Sequence, residues 1–295
     1  MHVRYVLVAA AWIACGVFAQ HPPHLSYVVT VKAGEPAFRY RLDIRRPDVD
    51  EVALSVAAWA PGSYRLMKAH DGIRDVAAVD ETGAARAVVR DGDLTWRVAS
   101  KGASLLRVTW TFDKFDRRKD NRSFFDKTSA LLDGPRNYLY WRDRKDVPAH
   151  VRFEVPEGWT VACGLTPTFD PFTFTAKDVD WLLDCPVLMG VLEERRFEVD
   201  GVPHRVVADL GGRKPSFDVD RFVDCVRRCV VAGAELMGGL PYDHYSFLFA
   251  GSGGGLEHLT STTIGISPAQ LAGDPDHHEG VIAHEHFHAW NVKRL

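Results

Sequence analysis

From Leu25 to about Val207 the chain alternates apolar and polar positions. Phe38, Tyr40, Leu42 and Ile44 are separated by polar or charged partners, as are Leu94, Trp96 and Val98, and then Leu106, Val108, Trp110 and Phe112. A period of two is that of strands burying one face. Turn signals recur between the runs, at Ala33-Gly34, Asp91-Gly92, Lys101-Gly102 and Asp133-Gly134-Pro135. Many short strands with such turns predict an antiparallel β-sandwich or saddle. Trp59 and Tyr64 flank the turn dipeptide Pro61-Gly62, and Trp159 follows Pro156-Glu157-Gly158. Each is read as a structural aromatic anchor, with the wall of a substrate cleft as the other reading of the first.

Near Val207 the period changes. Val219, Phe222, Val223, Val226, Val230, Gly233 and Met237 form one helical stripe, opened by Asp218 and closed by Gly238-Gly239 with Pro241 beyond. Tyr245 to Ala250 reads as a strand running into the glycine-rich Gly251 to Gly255. Glycine permits close backbone approach, so Gly254 and Gly255 and the Leu256-Glu257-His258 that follows are candidates to line a cleft. Ser261 to Ile264 has the composition of an edge strand, to which an extended peptide can add by backbone hydrogen bonds. A last helix runs through Val281 to Trp290, and Asp276 with Glu279 resembles a capping box at its start. The division expected is a β-rich domain over 20–207 and a second domain over 208–295.

The last helix carries His284-Glu285-x-x-His288. At about 100° per residue the two histidines stand about 40° apart on adjacent turns, with Glu285 at the edge of their stripe. Two imidazoles so placed can grip one Zn2+, which brings a bound water's pKa near neutral. Glu285 is then the general base for hydrolysis of a peptide bond. The plain alternative is a packed, hydrogen-bonded histidine pair. His286 falls on the other face and is read as a surface or packing residue. Glu257 is a candidate receiver of a free α-amino group, which would make the activity that of an exopeptidase; an ordinary surface carboxylate in a loop is the competing reading.

Composition narrows the partners. With 295 residues, 46% hydrophobic and 25% charged, the chain suits a globular protein of two domains. A net charge of −3 with acids and bases interspersed leaves no footprint for nucleic acid, and the run from Lys114 to Arg122 is broken by Asp116 and Asp120. Arg4 followed by an apolar core to Val17 and by Val17-Phe18-Ala19 reads as a secretory signal peptide, 1–19, cut after Ala19. The expected product is secreted or periplasmic, with no stable membrane span once the signal is removed. Export would permit disulfides; Cys163 and Cys185 are candidates to pair across strands, while Cys225 and Cys229, one helical turn apart, read as buried thiols.

Gly253-Gly254-Gly255-Leu256-Glu257-His258, then His284-Glu285-His286-Phe287-His288 and Ala289-Trp290-Asn291-Val292-Lys293-Arg294, resemble the glycyl aminopeptidase family of zinc metallopeptidases, as do Trp59 to Tyr64 and Pro156 to Trp159. The resemblance implies an α+β protein, a β-sandwich or saddle followed by the first part of a thermolysin-like (gluzincin) catalytic domain distantly related to the aminopeptidase N group. It also implies a peptide substrate, a preference for amino-terminal Gly or Ala, and binding of the amino terminus by Glu257. His258 stands where the distant relatives have asparagine. In enzymes of this type the third zinc ligand is a downstream glutamate, and the tail after His288 holds no acid, so that ligand is expected beyond Leu295. His277 shares the face of His284 but lies about 10 Å along the axis, too far for a shared ion. Two other readings stay open. One is a catalytically incomplete fragment whose β domain binds a peptide or partner; the other is an endopeptidase without amino-terminal selectivity.

Overall fold

A computed structural model of the chain describes residues 24–59, 66, 69–115 and 123–294. The expected signal peptide, the Pro61-Gly62 dipeptide with Tyr64, and most of the basic run after Lys114 lie outside these residues. The strands are β1 His24–Lys32, β2 Glu35–Arg45, β3 Glu51–Ser55, β4 Ile73–Asp80, β5 Ala85–Arg86, β6 Val88–Asp91, β7 Thr95–Ala99, β8 Leu105–Phe112, β9 Phe124–Phe125, β10 Ser129–Leu132, β11 Tyr140–Trp141, β12 Ala149–Glu154, β13 Thr160–Cys163, β14 Thr166–Pro167, β15 Thr173–Ala176, β16 Val187–Gly190, β17 Glu193–Val199, β18 Val202–Ala208, β19 Tyr245–Phe249, β20 Gly255–Glu257 and β21 Ser261–Ile264. The α-helices are α1 Gly134–Asn137, α2 Val179–Leu183, α3 Val219–Met237, α4 Pro268–Leu271 and α5 Glu279–Asn291. The protein is α+β, mostly sheet with few helices.

Three sheets build the N-terminal part: β14-β15-β12-β1-β2-β8-β4-β5, β11-β3-β7-β6 and β13-β16-β10-β9. The alternation read from sequence is the burial alternation. Phe38, Tyr40, Leu42 and Ile44 of β2 and Leu106, Val108, Trp110 and Phe112 of β8 all point into one core with Val52, Leu54, Trp96 and Val98 of the second sheet. The sheet is not wholly antiparallel as expected. β1 runs parallel to β12, Leu25 opposite Ala149 through Thr30 opposite Glu154. The pairing keeps Leu25, Tyr27 and Val29 on the same buried face as Ala149, Val151 and Phe153, and the long excursion through the second sheet supplies the crossover a parallel pair needs.

The sheet β13-β16-β10-β9 is buried on both faces, and this joins the two parts of the molecule. Ala130, Leu132, Val187 and Met189 face the N-terminal core. Their neighbours Leu131 and Leu188 face the other way, onto Val207, Leu248 and Ala250 of a five-stranded sheet β17-β18-β19-β21-β20. α3 and α5 cover the far side of that sheet. Phe222, Val226 and Val230 of α3 and Ile282, Ala289 and Trp290 of α5 pack on Phe247, Phe249 and Ile264. β17 and β18 both join this sheet, so the period change at Val207 falls inside it. That change records where parallel strands and helices begin, because β18, β19 and β21 pair in parallel and bury both faces.

Several local expectations are corrected. α3 spans the predicted stripe, with Asp218 accepting from Arg221 N–H at 3.0 Å and Gly238 left-handed at φ 77°, and its buried face includes Cys225 and Cys229. Asp276 does not cap α5. A 3-10 turn, Pro275–His278, precedes the helix, its cap is Asp274, and Asp276 instead pairs with Arg221 and Arg228 of α3. Asp133-Gly134-Pro135 opens α1 instead of a turn, because Pro135 suits the first turn of a helix. Trp59 is 53% exposed, and the turn it precedes lies outside the described residues, whereas Trp159 is buried behind a turn closed by its N–H to the Pro156 carbonyl at 3.1 Å. Cys163 and Cys185 are free buried thiols and form no disulfide.

Candidate metal and peptide site

α5 lies against β20 and β21 and presents His284 and His288 from adjacent turns. Their Nε2 atoms are 3.2 Å apart and their ring planes are 82° apart. Two nitrogens bound tetrahedrally to one zinc ion are separated by roughly 3.3 Å, since each bond is about 2.0–2.1 Å. The pair therefore already has the spacing of two ligands on one ion. Glu257, Glu285 and His288 bring one ligand atom each within 4.8 Å of one another, so two carboxylates flank the His288 imidazole. Imidazole with carboxylate suits a borderline divalent cation such as zinc. His288 Nδ1 is buried without a hydrogen-bond partner among the described residues, whereas a metal-bound histidine usually donates its second N–H.

Glu285 is 6% exposed, held under the glycine-rich segment. A β-carbon at Gly255 would overlap its Cγ, Cδ and Oε1, so only glycine lets the strand lie over this carboxyl. Gly254 is glycine for a different reason: it is left-handed at φ 65°. Burial pushes the Glu285 carboxyl up; the rings of His284 and His258 pull it back, while Glu257 adds to the push. A carboxyl raised by its surroundings is better matched to taking a proton near neutral pH than an exposed one.

The sheet order corrects the edge-strand expectation. Ser261–Ile264 is internal, paired on one side with β19 and on the other with β20. The edge is β20, and it ends on Glu257. Ser261 to Ile264 are all buried although three are hydroxyl residues, which is why their composition misled: Thr262, for example, bonds the Leu256 carbonyl at 3.0 Å. The edge strand and the candidate amine receiver are thus one element.

Behind the site sit residues the sequence reading missed. Asp184, just after α2, accepts from Leu259 N–H at 2.8 Å and from Lys293 Nζ at 2.9 Å, and its Oδ1 is 3.3 Å from His258 Nδ1. Burial pushes its carboxyl up, but the His258 bond and the charges of His258 and Lys293 outweigh it and hold the group below the usual carboxylate range. The only sequence signal was a charge inside Leu182-Leu183-Asp184-Cys185-Pro186.

His286 is the buried packing residue expected. Its Nε2 lies 2.5 Å from Tyr242 Oη, and Tyr242 Oη lies 3.1 Å from His204 Nε2. His204 Nδ1 donates to the Val202 carbonyl at 2.9 Å, so a neutral ring there accepts from the tyrosine hydroxyl. Burial lowers His286 to about 3 and His204 to about 4.

The tail after His288 has equally definite contacts. Trp290 Nε1 donates to the Gly239 carbonyl at 3.0 Å, and its ring lies where a β-carbon at Gly233 would meet it at 3.2 Å. Arg294 Nη2 donates to the Leu259 carbonyl at 3.0 Å. The tail thus staples α5 to α3 and to the turn after Glu257.

Residues 26–191 match the peptidase M61 N-terminal domain. No curated protein matches the sequence. The fold is similar to the crystal structure of an aminopeptidase N family protein from Idiomarina loihiensis, with a TM-score of 0.82 and 23% identity over 92% of this chain. That alignment covers 48% of the other protein, so this chain spans about half its length. At that identity the likeness concerns the fold.

Proposed function

Because this chain belongs to the family defined by the peptidase M61 N-terminal domain, we propose that it works as a zinc-dependent aminopeptidase, with α3, α5 and the five-stranded sheet forming the first part of a thermolysin-like catalytic domain. The observation that carries the reading is the pair of Nε2 atoms 3.2 Å apart with Glu285 buried beside them. His284 and His288 would hold the ion. When bound, the ion would lower the pKa of a water and polarise the scissile carbonyl.

The chain's own residues do the rest. Glu285, fixed between α5 and Gly255, takes the proton of the attacking water and returns it to the leaving amine. β20 offers its unpaired side to an extended peptide, and Gly254 and Gly255 let that peptide come close. Glu257, at the end of this edge, receives the substrate's ammonium group. The peptide is therefore placed with its amino terminus at Glu257 and its first bond over Glu285. A preference for amino-terminal Gly or Ala rests on the resemblance. Export rests on the leader ending at Ala19; among the described residues no helix is long and apolar enough to cross a membrane.

The test is Glu285→Ala in the full-length protein. Turnover should be abolished while one zinc per chain stays bound; preserved hydrolysis rules the mechanism out. Equal cleavage of free and N-acetylated peptides would instead make the enzyme an endopeptidase.

A further inference from the structure

Asp184 belongs to the N-terminal part, yet among the described residues its three side-chain partners all come from the catalytic part. Leu259 N–H and His258 Nδ1 lie directly after Glu257, and Lys293 lies just past the end of α5. The side chains of Asp184 and Lys293 are each 7% exposed, so their charges are largely out of water. A buried charge without its partner is strongly unfavourable, so these groups are held together. One carboxylate therefore ties the end of the edge strand to the end of the helix bearing His284, Glu285 and His288.

β20 needs such a tie. It is three residues long and, among the described residues, its only ladder partner is β21. Its Gly255 end is anchored separately, by the Gly265 N–H to Gly254 carbonyl bond at 2.9 Å and by the fit of Gly255 against Glu285. Its Glu257 end is followed at once by His258 and Leu259. On the β21 side that end is held by the pairing of Glu257 with Thr262, the Thr262 hydroxyl bond to the Leu256 carbonyl at 3.0 Å and the His258 N–H to Ser261 carbonyl bond at 2.9 Å; on the α5 side the ties among the described residues are Asp184 and the Arg294 bond to the Leu259 carbonyl.

We propose that Asp184 is a positioning residue for the substrate's amino terminus: it sets the gap between Glu257 and the water-activating face of α5, and so makes the N-terminal β domain part of the specificity apparatus. This rests on the aminopeptidase reading above. Loosening the clasp displaces the amine receiver while Glu285 keeps its seat, so the loss falls on binding of the free amino group.

The experiment uses zinc-loaded full-length protein and alanyl p-nitroanilide, with Glu257→Gln and Glu285→Gln in parallel. Asp184→Asn, which keeps the shape and loses the charge, is expected to raise KM at least tenfold, with kcat within threefold and zinc content unchanged. Glu257→Gln should move KM in the same direction. A KM within twofold of wild type, or a fall in kcat at constant KM, overturns the proposal. If Asp184→Asn does not fold, Lys293→Met carries the test: a several-fold rise in KM at little-changed kcat supports it, and an unchanged KM overturns it. Glu285→Gln separates the two levels. Turnover retained there removes the peptidase reading and the role of Asp184 with it, whereas an inactive Glu285→Gln beside an unaffected Asp184→Asn removes the clasp alone.

Discussion

Gly255 and Glu285 share one space: the carboxyl of Glu285 occupies the place where residue 255 would carry its β-carbon. The glycine is therefore a condition on where the candidate base can sit. It does not need an unusual backbone angle, since Gly255 is absent from the left-handed positions.

Gly255→Ala should consequently drive the Glu285 side chain, from Cγ outward, from its seat against β20. Peptidase activity is expected to fall at least tenfold with zinc content and melting temperature nearly unchanged, because a misplaced base by an ångström costs on the order of a hundredfold. Steady-state kinetics with metal analysis checks it; wild-type kcat would show that Glu285 has room to spare.

Removing the metal should lower stability. An ion held by His284 and His288 binds the folded chain alone, and at about a hundred times its dissociation constant it adds about 2.7 kcal/mol. Chelation is expected to lower the melting temperature of the full-length protein, and stoichiometric Zn2+ to restore it. His288→Ala should abolish the difference between the two forms. A melting curve indifferent to chelator would count against ligation by this pair.

Acid should destabilise the protein through the buried rings. His204 and His286 titrate near 4 and 3 when folded, against an ordinary value of 6.5, so below pH 6.5 the unfolded chain takes up protons that the folded chain refuses. Their contribution is whole above pH 6.5 and is lost progressively as the pH falls toward 4, by up to about 1.4 kcal/mol per pH unit for each ring. His204→Phe keeps the aromatic stack on Phe197, whose ring centroid is 4.8 Å away, and removes one titrating group. Urea unfolding between pH 7.5 and 5 should then show about one proton less of pH dependence; an unchanged slope would mean that His204 titrates normally.

The buried cysteines should behave as protected thiols. Cys163 is pushed up to about 12 by burial, as is Cys229, and both are 5% exposed or less. A thiol-specific disulfide reagent is expected to react slowly with native protein, and all four thiols after Gln20 should be alkylated on unfolding without reductant. Mass spectrometry reads the count, and only two alkylated thiols would mean that Cys163 and Cys185 pair after all.

The sequence by itself determined the elements and the bare motif. Period two at Phe38 to Ile44, period 3.6 at Phe222 to Val230, and the spacing of His284, Glu285 and His288 are local, because each follows from the backbone repeat of one strand or helix. What only the tertiary structure decided is which of those elements meet. A run of Ser-Thr-Thr reads as an edge whether it is solvated or buried inside a sheet, so Ser261 to Ile264 looked like the outside and β20 was overlooked. Asp184 was invisible for the same reason. A lone acid beside leucines acquires meaning only when Leu259 and Lys293, 75 and 109 residues away along the chain, arrive to share it. Contacts at such separations leave no periodic trace in the sequence; packing of the two-faced sheet β13-β16-β10-β9 between the two cores brings them together.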